Sequence, residues 1–243
     1  MTKQFKSDSG LIFPAVTAEQ MGEIDRIAME ETGPNLYQMM ENAGRNLAVH
    51  SIEFLSRMRA SAPVLVLAGA GGNGGGGICA ARHLINHGVE SVVCLAGMPR
   101  SGTVPFFQLE IFQQSGGQIV GAESLSALKP GLILDALVGY RLQNEPRGLA
   151  ARLIDWVAGQ SVPVISLDVP SGINATTGNA PGVYIRPVQT LTLALPKTGL
   201  TAEACGHLYL ADIGIPAKIY GKIGIGNVPS FGPEYILPIH PVL

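Results

Sequence analysis

The sequence predicts an α/β chain built on a doubly wound, mostly parallel β-sheet, and three observations predict it. Short, wholly apolar runs such as Val64–Ala68 have the texture of strands buried on both faces. Segments with helical spacing of apolar residues alternate with these runs, which implies right-handed βαβ crossovers. Several of the runs end in glycine or aspartate, in loops that a parallel sheet gathers beyond the carboxyl ends of its strands.

The elements follow in order. Thr17 with Gln20 three positions on forms a capping box, in which hydroxyl and amide satisfy orphan helical N–H groups reciprocally. Met21, Ile24 and Ala28 then recur at helical spacing until Gly33-Pro34 stops the helix. A second helix is predicted over Leu36–Met58, with Leu36, Met40, Ala43 and Leu47 on one face and Met39 and Met40 as core filler. The two helices are expected to pack on one face of the sheet. Further strands are predicted at 91–96, 118–120, 132–137, 162–168, 189–195 and 208–211, and helices at 78–87, 105–114 and 149–158. Residues 1–16 read as an N-terminal arm, 17–215 as the core and 216–243 as a tail rich in glycine and proline that wraps the surface, all in a single domain.

Composition narrows the function. At 243 residues the chain can bury a core without disulfides or metal. With 47% apolar and 14% charged residues, disorder over most of its length is excluded. The net charge of −2 and the scattered Lys and Arg exclude sequence-independent nucleic-acid binding and a basic membrane patch. No apolar run reaches the roughly 18 residues of a membrane span. Residues 1–13 lack the apolar centre of a signal peptide. The cysteines at 79, 94 and 205, without a CxxC, read as free thiols in a reducing cytoplasm.

Three loops, 69–77, 135–148 and 168–178, are expected at the carboxyl edge of the sheet, where open α/β folds bind ligands. In the first, Gly69, Gly71 and Gly74 match GxGxxG, a pattern whose free amides and helix N-terminus hold phosphate. A standard dinucleotide site also needs an acid at the end of the next strand, and that strand ends Cys94-Leu95-Ala96-Gly97. No Lys follows Gly74, so a P-loop is excluded. The second loop opens with Asp135 at the end of an apolar strand, where a carboxylate must be paired, hydrogen-bonded or cation-bound. Arg141 or Arg147 could clamp phosphate there or lie solvated on the surface. The third, Asp168-Val169-Pro170-Ser171-Gly172, offers Asp168 as an acid or base and Ser171 as an oxygen ligand. Triad, HExxH and EF-hand patterns are missing, and His83 and His87, at i,i+4 spacing, have no third ligand and read as ordinary histidines.

These pieces, in this order, resemble the NAD(P)H-hydrate epimerase family, also called the YjeF N-terminal domain. The likeness runs from Thr17 to Ile215. It is carried by Met40-Glu41-Asn42-Ala43-Gly44, the glycine loop with Ala80-Ala81-Arg82-His83-Leu84, Asp135-Ala136-Leu137 with Gly139, Asp168-Val169-Pro170-Ser171-Gly172 with Thr177-Gly178, and Thr190-Leu191-Thr192-Leu193 through Pro196-Lys197 to Gly199-Leu200. The resemblance implies a Rossmann-like three-layer αβα sandwich, often a homodimer, that interconverts the R and S forms of hydrated NADH and NADPH. The dehydratase domain that accompanies it in some relatives is expected to be absent from 243 residues.

The resemblance also implies one potassium ion, with Asn73, Asp135 and Ser171 as its ligands by position. It implies substrate contacts at Gly72, Asn73, Gly74, Gly75 and Gly76, at Gly139, Tyr140, Arg141, Leu142, Gln143, Asn144 and Glu145, and at Asp168, which is also the catalytic candidate. The chain departs from the family pattern at Gly72 and Gly76, which replace an Asn and an Asp, and at Tyr140-Arg141, which replaces Thr-Gly. Two readings therefore stand: an epimerase of hydrated NAD(P)H, or a diverged or catalytically impaired protein that binds a nucleotide-like ligand, or acts as an interaction module, on the same scaffold. An ordinary NAD-dependent oxidoreductase is disfavoured by the missing ribose acid.

Overall fold

A computed structural model describes residues 3–59 and 63–242. The first two residues of the expected arm and the last of the tail lie outside the described residues. The chain opens with a hairpin, β1 (Gln4–Ser7) and β2 (Ile12–Pro14), followed by α1 (Ala18–Ile27), a π-helical turn and α2 (Leu36–Met58). Then come β3 (Val64–Ala68), α3 (Gly72–Asn86), β4 (Ser91–Leu95), α4 (Val104–Gln114), β5 (Gln118–Val120) and β6 (Leu132–Ala136). α5 (Gly148–Ala158), β7 (Val164–Leu167), β8 (Gln189–Leu193), α6 (Ala202–Cys205), β9 (His207–Ala211), α7 (Ala217–Lys222) and β10 (Ile236–Pro241) complete it.

The ten strands form one sheet in the order β2-β1-β10-β9-β8-β7-β6-β3-β4-β5. From β9 to β5 every pairing is parallel. Strand order reverses between β6 and β3, so the loops that follow these two strands diverge and leave a crevice at their carboxyl ends. Side chains alternate across the sheet. Val64, Val66 and Ala68 pack under α2, α3 and α4, while Leu65 and Leu67 pack with Leu153, Ile154 and Val157 of α5. The result is the three-layer sandwich expected of the sequence.

Three features differ from that expectation. The arm and tail are not outside the sheet: β10 pairs antiparallel with β9, β1 with β10, and β2 with β1. Pro238 and Pro241 mask β10 in the sequence, since proline removes ladder donors, yet Leu237 and Ile239, on either side of Pro238, are buried. Phe5 and Phe13, both fully buried, anchor the arm. The two N-terminal helices also part company. α2 lies along α3, whereas α1 packs Met21, Ile24 and Ile27 with Leu208, Leu210 and the α7 residues Ile219 and Tyr220.

The third difference is the glycine segment, which is helical. α3 begins at Gly72, not at Ile78. Glycine disfavours a helix by about 1 kcal/mol relative to alanine, so the run requires a compensating cause, and close packing supplies it. A Cβ at Gly74 would collide with the backbone of Gly69, and one at Gly77 with Ala136. A Cβ at Gly75 would lie 2.8 Å from Met40 Sδ. Gly44 of α2 meets Cys79 and Ala80 in the same way. α3 therefore sits closer to the sheet and to α2 than side chains permit, and its first turn is held at the crevice.

Packing should reverse the usual sign of a glycine-to-alanine change in this helix. Gly77→Ala is expected to lower stability by about 1–3 kcal/mol through overpacking. Gly72→Ala, whose Cβ meets only Met40 Cε at 3.5 Å, is expected to be near neutral. Urea unfolding of both variants, read as a shift in midpoint at constant slope, measures the contrast.

Candidate active site

A cavity of about 460 Å³ opens at the crevice. Met29, Leu36, Met39, Met40 and Leu167 form an apolar wall, and the rest of the lining includes Gly72, Asn73, Gly76, Gly139, Tyr140, Arg141, Asp25 and Asp168.

Asp135, the penultimate residue of β6, is fully buried. Its Oδ2 accepts from Ser166 Oγ at 2.7 Å and from the Ser171 amide at 2.9 Å, and its Oδ1 from Ser171 Oγ at 2.6 Å and the Leu137 amide at 3.3 Å. Burial pushes its carboxyl up, and the bonds from Ser171 and Ser166 oppose the shift. Ser171 Oγ also accepts from the Val138 amide at 2.9 Å, so this one cluster fastens the second loop to the third. Gly139 follows directly. A Cβ on it would stand 3.0 Å from Asp168 Oδ2 and 3.1 Å from Asn73 Oδ1, so those two side chains converge there. Asn73 and Asp168, far apart in sequence, thus line one end of the cavity, while Asp135 and Ser171 are fully buried behind it, with Ser171 bonded to the lining residue Val138, and do not line it themselves.

Asp168 follows β7 with φ +69, a left-handed conformation that costs a non-glycine residue about 1–3 kcal/mol. Its carboxylate is doubly held. Oδ2 accepts from the Tyr140 amide at 2.9 Å, and Oδ1 pairs with Lys197 Nζ at 2.5 Å. Lys197 is 1% exposed and also donates to the Leu193 carbonyl at 2.8 Å. The sequence reading placed Lys197 in the family pattern but gave it no part in the site. Nothing in Pro196-Lys197 marks a buried cation, because only the fold brings β8 beside β7.

Asp25 was also missed. It accepts from Tyr140 Oη at 2.6 Å, and Arg141 Nε donates to the same hydroxyl at 2.9 Å. One signal was available: Met21, Asp25 and Ala28 share a helical stripe, so an acid stood on an otherwise apolar face.

The other expected contacts divide. Gly74 and Gly75 are spent on packing against Gly69 and Met40 and do not line the cavity. Leu142, Gln143, Asn144 and Glu145 do not line it either, and Gln143, Asn144 and Glu145 are exposed. Arg147 is exposed and pairs loosely with Glu145, at 3.9 Å. His83 bonds to Glu41 at 2.8 Å. Glu41, Cys79 and His83 could be taken for a metal site, but the Arg82 guanidinium bonds both Glu41 oxygens, at 2.6 and 2.7 Å, and approaches Cys79 Sγ at 3.4 Å. Burial pushes the Glu41 carboxyl up, but hydrogen bonds from Arg82 and His83 outweigh it and bring it down to about 2. This cluster ties α2 to α3 with a cation already in place.

Asn73, Asp135 and Ser171 fit a hard monovalent cation in the chemistry of their donor set. All three offer oxygen, and the groups acting on the buried Asp135 carboxylate are neutral donors, so no side chain among the described residues supplies its countercharge. Asn73 Nδ2 is buried without a hydrogen-bond partner among the described residues; as an N–H donor it calls for an acceptor and not for a cation, which only Asn73 Oδ1 could hold.

Residues 36–199 match the model of the family described as YjeF-related protein N-terminus. The chain is 47% identical over 230 residues to the NAD(P)H-hydrate epimerase of Dehalogenimonas lykanthroporepellens, covering 95% of this chain and 94% of that one. It is 36% identical to the bifunctional NAD(P)H-hydrate repair enzyme Nnr of Moorella thermoacetica, over 84% of this chain but only 41% of the larger protein. The crystal structure of yeast ynu0 superposes with a TM-score of 0.81, covering 92% of this chain and 99% of that one at 24% identity, which establishes likeness of fold.

The Lys197–Asp168 pair has a direct energetic consequence. Lys197→Met leaves a buried carboxylate without its partner and is expected to cost about 3–5 kcal/mol. Adding Asp168→Asn should return part of that loss, because the uncompensated charge goes with it. A double-mutant cycle in denaturant measures both.

Proposed function

The chain belongs to the YjeF-related N-terminal family, and on that premise we propose that it interconverts the R and S forms of hydrated NADH and NADPH. The observation that carries this reading is a buried, clamped carboxylate, Asp168, facing a largely apolar cavity of about 460 Å³. Sequence identity of 47% to an NAD(P)H-hydrate epimerase over nearly the full length of both chains supports it.

The chemistry asks little of the protein. In the hydrate, the ring nitrogen lone pair expels hydroxide from the adjacent carbon and leaves a planar iminium ion. Water then adds to either face. Met29, Met39, Met40 and Leu167 supply an apolar wall for the ring and limit the water that reaches it. Asp168 faces the developing cation and takes a proton from the incoming water. Lys197 and the Tyr140 amide hold Asp168 in position, so Lys197 is a positioning residue. The first turn of α3, at Gly72 and Asn73, presents free amides of the kind that bind phosphate. Potassium would be held by Asn73, Asp135 and Ser171. Bound there, it supplies a fixed positive charge against Asp135 and braces the loops that carry Gly139 and Asp168. The buried, unpaired state of Cys79, Cys94 and Cys205 supports a reducing, cytoplasmic setting.

Chiral separation of a hydrate mixture tests the activity. Wild-type protein should exchange the epimers far faster than they exchange alone, and Asp168→Asn should lose about 100-fold or more. A wild-type rate equal to the spontaneous one would sink this reading and leave a ligand-binding protein. In oxygen-18 water, each inversion should carry label into the ring hydroxyl; inversion without label would exclude loss and re-addition of water.

The potassium assignment has its own test. Thermal stability should rise in potassium relative to tetramethylammonium, by mass action on the folded state. Asp135→Asn should abolish the rise.

A further inference from the structure

Inversion at the hydroxylated carbon requires two proton movements on opposite faces of the ring. The departing hydroxide gains a proton, and the incoming water loses one. Asp168 accounts for one of these. The opposite requirement has a second carboxylate available, on α1. Asp25 lines the same cavity, with 17% of its side chain exposed. Tyr140 connects the two acids directly. Its amide donates to Asp168 Oδ2 at 2.9 Å and its hydroxyl to Asp25 Oδ2 at 2.6 Å. The hydroxyl also accepts from Arg141 Nε at 2.9 Å, so it stands in a continuous chain of donors and acceptors at the cavity wall.

We propose that Asp25, working with the Tyr140 hydroxyl, is the second proton-handling group of the site and serves the face of the ring opposite Asp168. The proposal rests on the epimerase reading. In one direction the nitrogen lone pair forms the C=N bond as the C–O bond breaks, and the oxygen leaves as water with a proton from Asp25, delivered directly or through Tyr140. A second water adds to the other face, forms the new C–O bond and gives its proton to Asp168. In the reverse direction the two carboxyls exchange roles. Solvent in the cavity returns the protons, one water leaves for each that enters, and nothing is oxidised or reduced.

The electrostatics favour this division. Burial raises the Asp25 carboxyl above the ordinary range, and the negative charge of Asp168 raises it further, while Tyr140, Lys197 and Arg141 oppose the rise. Tyr220 of α7 is the remaining ionisable group that senses Asp25. Burial, with Asp25 close by, also raises the Tyr140 phenol, which stays protonated at neutral pH and able to donate. Asp25 must carry its proton for the first direction, so that rate should fall as pH climbs through its raised pKa.

The test uses the full chain and both directions of epimer exchange. Asp25→Asn should lower kcat about 100-fold or more, leave KM within about threefold, and remove the alkaline fall in rate. Tyr140→Phe, which keeps the ring packing, should lower kcat about 10-fold or more. If both variants keep kcat within about threefold and retain the wild-type pH profile, Asp25 is only an anchor for the loop and the proposal fails. A loss confined to KM overturns it as well. Should Asp25→Asn fail to unfold cooperatively, Tyr140→Phe decides by the same criteria. The two readings fail separately. Wild-type protein no faster than the spontaneous reaction defeats the epimerase reading and this inference with it. Active wild type, inactive Asp168→Asn and unimpaired Asp25→Asn defeat this inference alone.

Discussion

Two carboxylates buried at the carboxyl edge of a parallel sheet set the terms for everything around them. An ionised carboxylate removed from water must be given back what it lost, and the chain does this in two ways. Asp135 receives four hydrogen bonds from neutral donors. Asp168 receives a buried lysine and a backbone amide. Each solution recruits a neighbouring strand or loop. Ser166 and Ser171 bind β7 and its loop to β6, and Lys197 binds the end of β8 to the end of β7. The loops are therefore placed by the needs of two charges and do not depend on their own conformational preference.

The same economy governs the far wall. α3 approaches the sheet, the loop at Gly69 and α2 so closely that Gly77, Gly74 and Gly75 respectively have no room for side chains. That approach sets Asn73 beside Gly139 and leaves Met40 to complete an apolar surface. A glycine-rich stretch that looks pliable in sequence is thus a rigid, tightly packed helix start. Its local helix propensity is poor, and tertiary contact overrides it. The residues that depart from the family pattern also find a place. Tyr140 joins two carboxylates, and Arg141 supports its hydroxyl.

A good part of this was legible beforehand. The apolar runs that became β3, β4, β6 and β7 read as strands buried on both faces, and a parallel sheet built from them brings loops 69–77, 135–148 and 168–178 together. Asp135, Asp168 and Ser171 were readable because polar residues at the ends of such strands and in the loops after them gather at that edge, whereas Asn73 was marked by the family resemblance. β10 was not readable, because Pro238 and Pro241 contradict local strand chemistry and only Leu237 and Ile239, buried against the sheet, outweigh them. The helical glycines were not readable either, since the atoms that exclude a Cβ belong to Gly69, Met40 and Ala136.

What the sequence by itself determined is the class of fold, the edge of the sheet where ligands bind and the family pattern, because these follow from hydrophobic period and from residues at strand ends. What the tertiary structure alone decided is which charges meet. Lys197 and Asp168 are 29 positions apart, and Asp25 and Tyr140 are 115 apart. A lysine or an aspartate taken singly looks like a solvated surface residue. Burial turns each into a partner that another group must answer, and burial belongs to the assembled fold.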